Sequence, residues 1–140
     1  MVNKASIEGV LGGMVVIDLT QMLAGPYCTM MLADHGADVI KIEPPEGDMS
    51  RRLGPYADDK DGQNHSGYFH SINRNKRSVV LDLKSAEGVL IFKRLIEKAD
   101  AVVENFREGV MERLGLSYET LREINPRLVY AAIRGFGDSR

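Results

Sequence analysis

The chain has 140 residues, of which 44% are hydrophobic and 27% charged, a balance typical of one soluble globular domain. Its 18 basic and 20 acidic residues give a net charge of -2, which argues against a nucleic-acid or anionic-membrane partner. A single cysteine, Cys28, excludes an internal disulfide framework and a cysteine metal cluster. With no apolar run of about 18 residues and no apolar signal-peptide core, a cytoplasmic protein without a metal is expected.

Short apolar runs alternate with helical patterns along the chain, which predicts an α/β fold with a mainly parallel, doubly wound sheet. Five strands are expected, at residues 14–19, 38–43, 78–83, 101–103 and 128–133. Five helices are expected, at residues 26–35, 68–72, 86–98, 108–114 and 117–124. Residues 46–66 have few apolar side chains, so we expect them to form a long surface excursion.

Several residues mark the ends of these elements. Pro26 suits the first turn of a helix, where its missing N–H costs nothing. Gly36 is expected just past the end of the same helix, and Ser85 is expected to cap the helix that begins at Ala86. Asn125 and Pro126 are expected to break the last helix before the fifth strand.

The fourth predicted strand ends abruptly in polar and aromatic residues, namely Glu104, Asn105, Phe106 and Arg107. Open α/β sheets bind ligands at the carboxyl ends of their strands. One amide, one aromatic ring and the guanidinium groups of Arg107 and Arg113 suit a ligand with amides, an apolar section and phosphates, as in coenzyme A. The alternative is structural, with Asn105 capping a helix and Phe106 in the core.

Two further loops are candidates for ligand contact. Residues 20–26 follow the first strand but lack Gly-x-Gly-x-x-Gly, which argues against a classical NAD site. Residues 73–77 carry three cations that, with Lys84 and Arg113, are expected to form a cluster at the carboxyl edge of the sheet and to contact phosphates. The alternative for this basic turn is a solvated face, and for the first loop a simple turn.

The remaining reactive side chains show no catalytic or metal-ligand spacing. We expect Cys28 to be a buried helix residue and His35, His65 and His70 to lie at the surface. Asp18, at the end of the first strand, is expected to be structural rather than catalytic.

An ordered set of motifs runs along the chain: Asp18-Leu-Thr-x-x-Leu-Ala-Gly-Pro26, Leu32-Ala-Asp-x-Gly-Ala-Asp-Val-Ile-Lys-Ile-Glu43, Gly47-Asp48, Asn73-Arg-Asn-Lys-Arg-Ser78, Asp82-Leu-Lys84, Val103-Glu-Asn-Phe-Arg107, Gly109 and Asn125-Pro-Arg127. Taken together, these motifs resemble the family III CoA-transferases, which include carnitine CoA-transferase, formyl-CoA transferase and the α-methylacyl-CoA racemases. The resemblance extends from Leu11 to Gly137.

The resemblance implies that CoA, as a substrate and not a tightly bound cofactor, lies over a Rossmann-like N-terminal domain. The positions that match the family's nucleotide and pantetheine site are Met22, Leu81, Lys84, Asn105, Phe106 and Arg113. Arg107 is at a position where the racemases also usually have arginine. Pro44 and Pro45 replace a basic residue that is frequent in the family, and Arg51 and Arg52 are candidates to replace that contact.

In the family's transferases, an aspartate carboxylate attacks the acyl-CoA thioester, and an enzyme–CoA thioester then passes CoA to an acceptor acid. That aspartate follows the loop at residues 135–137, and Asp138 comes too early to match it, so no catalytic residue is expected in this chain. Family members are longer and form interlocked homodimers. We therefore expect residues 1–140 to be the CoA-binding N-terminal part of the large domain, without the small domain and the returning C-terminal segment.

Three functions remain open on these grounds: a CoA-transferase acting on an acyl-CoA and a carboxylic acid, an α-methylacyl-CoA racemase, and a catalytically inactive CoA-binding fragment. The loop at residues 20–26 and the block at residues 73–78 favour the transferases, since racemases often have Pro-Gly-Pro and Gly-Lys-Arg-Ser there. As an isolated chain, the fragment is expected to be inactive and to expose apolar sheet surface.

Overall fold

A five-stranded parallel sheet forms the centre of the computed structural model, which describes residues 9–58 and 64–136. The strands in chain order are β1 (Val15–Asp18), β2 (Asp38–Glu43), β3 (Tyr56–Asp58), β4 (Asn64–Ser66), β5 (Arg77–Val80), β6 (Ala101–Glu104) and β7 (Val129–Ala132). The main sheet has the order β5-β2-β1-β6-β7, and all its strand pairs are parallel. The short strands β3 and β4 form a separate antiparallel pair. The predicted α/β fold with a mainly parallel sheet is confirmed.

Helices cover both faces of this sheet. They are α1 (Ala24–Asp34), α2 (Gly67–Asn73), α3 (Ala86–Ile96), α4 (Val110–Arg113) and α5 (Tyr118–Ile124). One apolar cluster joins α1 to one face, and a larger cluster joins α3, α4 and α5 to the other. Among the described residues, no helix has the length and apolar character that a membrane crossing requires.

Local signals set the limits of the helices. The Ser85 hydroxyl accepts a hydrogen bond from the Gly88 N–H at 3.0 Å, as the predicted cap of α3 requires. Gly36 has a φ of 102°, a left-handed conformation that suits a residue just past a helix end. Helix α1 begins two residues before Pro26, which is still within the first turn, where no intrahelical acceptor is lost.

The predicted surface excursion at residues 46–66 is confirmed for most of its described part, since residues 51–57 are exposed, but the segment is more ordered than expected. Residues 59–63 of this prediction lie outside the described residues. The segment contains a 3-10 helix (Met49–Arg52), and it includes the buried residues Asp48, Ser50 and Ser66. Asp48 Oδ1 accepts the Ser50 N–H at 2.7 Å, and the Ser66 hydroxyl donates to the Ser50 carbonyl at 2.8 Å. Side-chain hydrogen bonds therefore order this segment, and a search for apolar residues does not detect them.

The face of the sheet that packs on α1 changes from apolar to charged along the strands. Near the amino ends it presents Val16 and Val39, whereas Asp18, Lys41 and Glu43 follow toward the carboxyl ends. The charges are paired: Lys76 Nζ lies 2.9 Å from Asp18 Oδ2, Lys41 Nζ lies 2.7 Å from Asp48 Oδ2, and Arg51 Nε lies 2.7 Å from Glu43 Oε2. We call these three pairs, of which only Arg51 is substantially exposed, the buried ionic layer. Pairing is what makes charge burial tolerable.

These contacts shift the pKa values of two groups in the buried ionic layer, Glu43 and Lys76. Burial alone would raise the pKa of Glu43, but hydrogen bonds from Arg51, Ser78 and the Asp48 N–H outweigh it and lower the pKa to about 2. For the Lys76 ammonium, burial lowers the pKa, and the neighbouring Asp18 carboxylate only partly opposes this shift.

Both outer strands of the sheet leave apolar side chains exposed, as expected for this chain. Val80 on β5 and Val129 on β7 each have a relative exposure of 62%. In a doubly wound sheet, such positions are normally covered on both faces.

Replacing Gly88 by alanine should destabilise the fold, although alanine is the better helix former. A Cβ at Gly88 would lie 1.9 Å from the backbone oxygen of Asp82, which α3 contacts closely at its first turn. We expect Gly88→Ala to lower the free energy of unfolding by about 1–3 kcal/mol in urea titrations. The control Glu87→Ala, at an exposed position of the same helix, should change it by less than about 0.5 kcal/mol. Equal effects of the two substitutions would contradict the close packing.

The ion pair of Glu43 predicts a specific loss of stability in acid. The pKa of Glu43 is about 2 in the folded protein against an ordinary value of 4.5, so its contribution is complete above pH 4.5 and declines as the pH falls toward 2. The contribution is about 3 kcal/mol. Urea unfolding between pH 2 and 5 should therefore show a steeper loss in the natural protein than in Glu43→Gln. Parallel curves for the two proteins would contradict this assignment.

Candidate functional site: a cleft at the carboxyl ends of the strands

A cleft of about 340 Å³ lies at the carboxyl ends of β1, β2, β5 and β6. Its lining combines apolar walls with a few polar groups at the rim. The lining residues are Leu19, Gln21, Ile42, Pro44, Glu46, Leu81, Asp82, Leu83, Lys84, Phe106, Val110 and Leu114. This position is where parallel sheets bind ligands.

A larger groove, of about 540 Å³, lies at the opposite edge, between α3 and the beginning of β2 and β5. Its charged residues include Arg77 and Asp38, which form an ion pair with each other at 2.6 Å. We place the candidate site at the smaller cleft, because the carboxyl ends of the strands carry the residues that the sequence singles out.

The cleft lies beside the point where the chain changes direction across the sheet. From β1 the chain moves to β2 and β5 on one side, and it then returns to β6 and β7 on the other. Asn105 bridges this switch point: its Oδ1 accepts the Gln21 N–H at 2.9 Å, and its Nδ2 donates to the Gln21 carbonyl at 2.8 Å. Asn105 is therefore no helix cap, since Gly109 precedes α4.

Met22 follows this bridge in an unusual backbone conformation. Its φ is 72°, in the left-handed region that costs a residue with a side chain about 1–3 kcal/mol. The preceding Thr20 is held by Asp18, whose Oδ1 accepts both the Thr20 N–H at 2.8 Å and its hydroxyl at 2.5 Å. The Met22 side chain is 42% exposed and is not among the residues that line the cleft.

The structure brings most of the predicted contact residues to one side of the sheet. Leu81, Lys84 and Phe106 line the cleft. Phe106 also packs against the main apolar cluster, so it contributes to the core as well. Arg113 is exposed beside the lining residues of α4, and a side chain at Gly109 would come within 3.1 Å of its Nη1 atom.

Arg107 is exposed, directly after Phe106, and does not line the cleft. Of the two candidates to replace the missing basic contact, Arg51 is committed to Glu43, with Nε and Nη2 each 2.7 Å from a carboxylate oxygen. Arg52 is exposed and donates at 3.3 Å to the carbonyl of Glu46, at the rim of the cleft.

The predicted position of the basic turn at residues 73–77 is wrong. Arg77 begins β5, so in a parallel sheet the turn lies at the amino edge, opposite Lys84. Arg74 and Arg77 pair with Asp34 and Asp38, each at 2.6 Å, and Lys76 belongs to the buried ionic layer. Lys76 is therefore part of the interior, whereas Arg74 and Arg77 form exposed surface ion pairs, as the alternative of a solvated face describes.

Glu104 organises the end of β6, a structural role that sequence patterns alone do not assign to it. It is fully buried, and Arg134 donates from Nη1 to Oε2 at 2.9 Å and from Nη2 to Oε1 at 2.6 Å. Oε2 also accepts the Phe106 N–H at 2.8 Å, while the Tyr130 hydroxyl donates to Oε1 at 3.2 Å. Burial, and secondarily the Glu104 charge, raises the pKa of Tyr130. The signal of this role in the sequence is a charged residue at the end of an apolar strand.

The predicted burial of Cys28 is wrong, since Cys28 is exposed on α1. The buried positions of that helix include Gly25, Pro26, Thr29 and Met30, and Cys28 lies outside this stripe.

Asp18 is structural, as predicted, since it accepts hydrogen bonds from Thr20 and Thr29 and forms an ion pair with Lys76. Within residues 9–58 and 64–136, no three or more His, Cys, Asp or Glu side chains are grouped so as to hold a metal ion.

Comparison with known proteins identifies relatives of this chain. The chain is 56% identical over 132 residues to a succinyl-CoA:mesaconate CoA-transferase of Haloarcula hispanica, covering 94% of this chain and 33% of the relative. It is 50% identical over 132 residues to a succinate–glutarate CoA-transferase of Agrobacterium fabrum, covering 92% and 33%. The chain thus spans about a third of the length of the curated relatives it matches.

The fold is also shared with a solved structure. A CAIB/BAIF family protein from Brucella suis superposes with a TM-score of 0.89 at 45% identity, covering 95% of this chain and 35% of that one. The sequence model of the family described as CoA-transferase family III matches residues 11–140. The chain therefore belongs to CoA-transferase family III.

Proposed function

We propose that this chain supplies the CoA-binding part of an enzyme that moves CoA between an acyl-CoA and a carboxylic acid. The observation that carries the proposal is the cleft itself, where Leu81, Lys84 and Phe106 come together beside the Asn105 bridge. In this view, residues 1–140 are the Rossmann-like N-terminal part of a large domain, in a cytoplasmic homodimer.

The chemistry of CoA suits the residues at each level of the cleft. Pantetheine is a narrow arm that alternates apolar segments with amides, and apolar walls with occasional polar groups bind such arms. Leu19, Ile42, Leu81 and Phe106 provide the walls, and Gln21 provides a polar group. We place the phosphates at the exposed rim near Lys84, with the exposed side chains of Arg113 and Arg107 as further candidate contacts outside the cleft lining.

No residue of this chain carries the covalent step in the proposal. An aspartate of the longer enzyme attacks the thioester carbonyl and expels the CoA thiolate, which leaves a mixed anhydride. The thiolate then attacks the aspartyl carbonyl, releases the first acid and forms an enzyme–CoA thioester. The acceptor carboxylate attacks this thioester and expels the CoA thiolate, which leaves a second mixed anhydride. The thiolate then attacks the acceptor's carbonyl carbon, which forms the new acyl-CoA and frees the aspartate. The chain's part is to keep the pantetheine and nucleotide in place through these exchanges.

The names of the quoted relatives support transfer over racemisation, and they point to dicarboxylic acids as the first substrates to test. The assay supplies succinyl-CoA with a labelled dicarboxylate to the protein at its natural length and follows labelled acyl-CoA by chromatography. A racemase would instead invert an α-methyl centre without exchanging the acid. A protein that binds CoA but does neither would fit the non-catalytic alternative.

Lys84→Met should weaken CoA binding without affecting the fold. Lys84 is exposed at the rim of the cleft, where an ammonium contact to phosphate contributes about 1.4 kcal/mol, or a factor of about ten in Kd. Calorimetric titration with CoA should show this increase, and the difference should shrink at high salt.

The control Lys98→Met removes an exposed lysine at the amino edge of the sheet and should leave the Kd unchanged. Equal affinities of the Lys84 and Lys98 variants would contradict the placement of the phosphates.

A further inference from the structure

We propose that Lys41 is a positioning residue of the CoA site, which holds the first loop (residues 19–23) in the shape that forms one wall of the cleft. Lys41 itself is 1% exposed and cannot reach a ligand in the cleft. The inference rests on the proposed function, because that function gives the cleft its ligand.

The peptide group between Thr20 and Gln21 is held at both ends. Lys41 Nζ donates to its carbonyl, the Thr20 oxygen, at 2.7 Å. Asn105 Oδ1 accepts its N–H, that of Gln21, at 2.9 Å. A peptide plane fixed from both sides has little freedom to rotate, so Lys41 and Asn105 together set the direction of the loop.

The next peptide group extends the same control to Met22. Its carbonyl, on Gln21, accepts a hydrogen bond from Asn105 Nδ2 at 2.8 Å. Met22 then has its left-handed φ of 72°, a conformation that persists only where the surroundings determine it. Lys41 and Asn105 supply that determination, one from inside the fold and the other from the neighbouring strand.

Lys41 also ties the loop to the opposite side of the cleft. Its ion-pair partner Asp48 is 1% exposed and accepts the Ser50 N–H, while the Asp48 N–H donates to Glu43 at 2.8 Å. Pro44 and Glu46, which line the cleft, lie between Glu43 and Asp48. One ammonium thus sets the spacing of two walls.

Stability alone does not explain a charge in this place. Apolar residues of similar volume often replace a buried ion pair without loss of stability. An apolar side chain at position 41 would fill the same space, but it could not hold the Thr20 carbonyl. The ammonium is therefore better explained by the geometry that it imposes.

The test uses the protein at its natural length with the double substitution Lys41→Met and Asp48→Asn. The pair removes both buried charges and avoids the unpaired carboxylate that Lys41→Met alone would leave. The amide that replaces the Asp48 carboxylate keeps an oxygen to accept the Ser50 N–H. The matched control, Arg77→Gln with Asp38→Asn, neutralises an ion pair of 2.6 Å at the amino edge.

We expect the double variant to keep its thermal midpoint within a few degrees of the natural protein and to raise the KM for acyl-CoA about tenfold, with a change in kcat below about twofold. The control pair should leave the thermal midpoint, the KM and the kcat unchanged. The ¹³C-methyl NMR signal of Met22, assigned with Met22→Leu, should shift or broaden in the double variant only.

An unchanged KM together with an unchanged Met22 signal would overturn the role of Lys41. If the natural protein binds no CoA, the proposed function fails by itself. The Met22 signal then still tests whether Lys41 fixes the loop at residues 19–23. A shifted or broadened signal in the double variant supports that role, and an unchanged signal overturns it.

Discussion

The bridge from Asn105 to the backbone of Gln21 is the contact on which the candidate site depends. It joins the ends of β1 and β6, the two strands from which the chain departs in opposite directions. Without a connection there, the two loops would diverge and leave an open gap at the edge of the sheet. With it, the loop after β1 and the aromatic residue after β6 face the same space.

Behind this bridge, the molecule uses charge where most α/β domains use apolar packing. The α1 face is apolar toward the amino ends of the strands and ionic toward the carboxyl ends. Each ion pair joins a strand to a segment outside the sheet, and Lys76 to Asp18, with a sequence separation of 58, is the longest such connection. Apolar contacts tolerate sliding, whereas paired charges with hydrogen bonds favour one arrangement. The result is a set of loops with fixed positions on a sheet that has exposed outer strands.

The sequence predicts the elements well because their signals are local. Strand β2 has the bounds that its apolar run and the following prolines indicate, and the Ser85 cap begins α3 as expected. The residues after β6 could also be assigned to the carboxyl edge from the sequence. All strands of a parallel sheet end at the same edge, whatever their order in the sheet.

What the sequence does not reveal depends on partners that are distant along the chain. Sequence reasoning assigns the basic turn to the ligand because its acids, Asp34 and Asp38, lie about 40 residues earlier, and no local pattern links them. The role of Glu104 is hidden for the same reason. The ordering of Asp48 has near partners, Glu43 and Ser50, but an apolar pattern does not register side-chain hydrogen bonds. The arginine that neutralises Glu104 comes from beyond β7 and places a limit on any shortened form of this domain. A piece that stopped before Arg134 would keep β6 but would leave a carboxylate in its interior without a counter-ion, at a cost of about 3–5 kcal/mol. A shortened form that keeps β6 must therefore retain the loop after β7 as well as that strand.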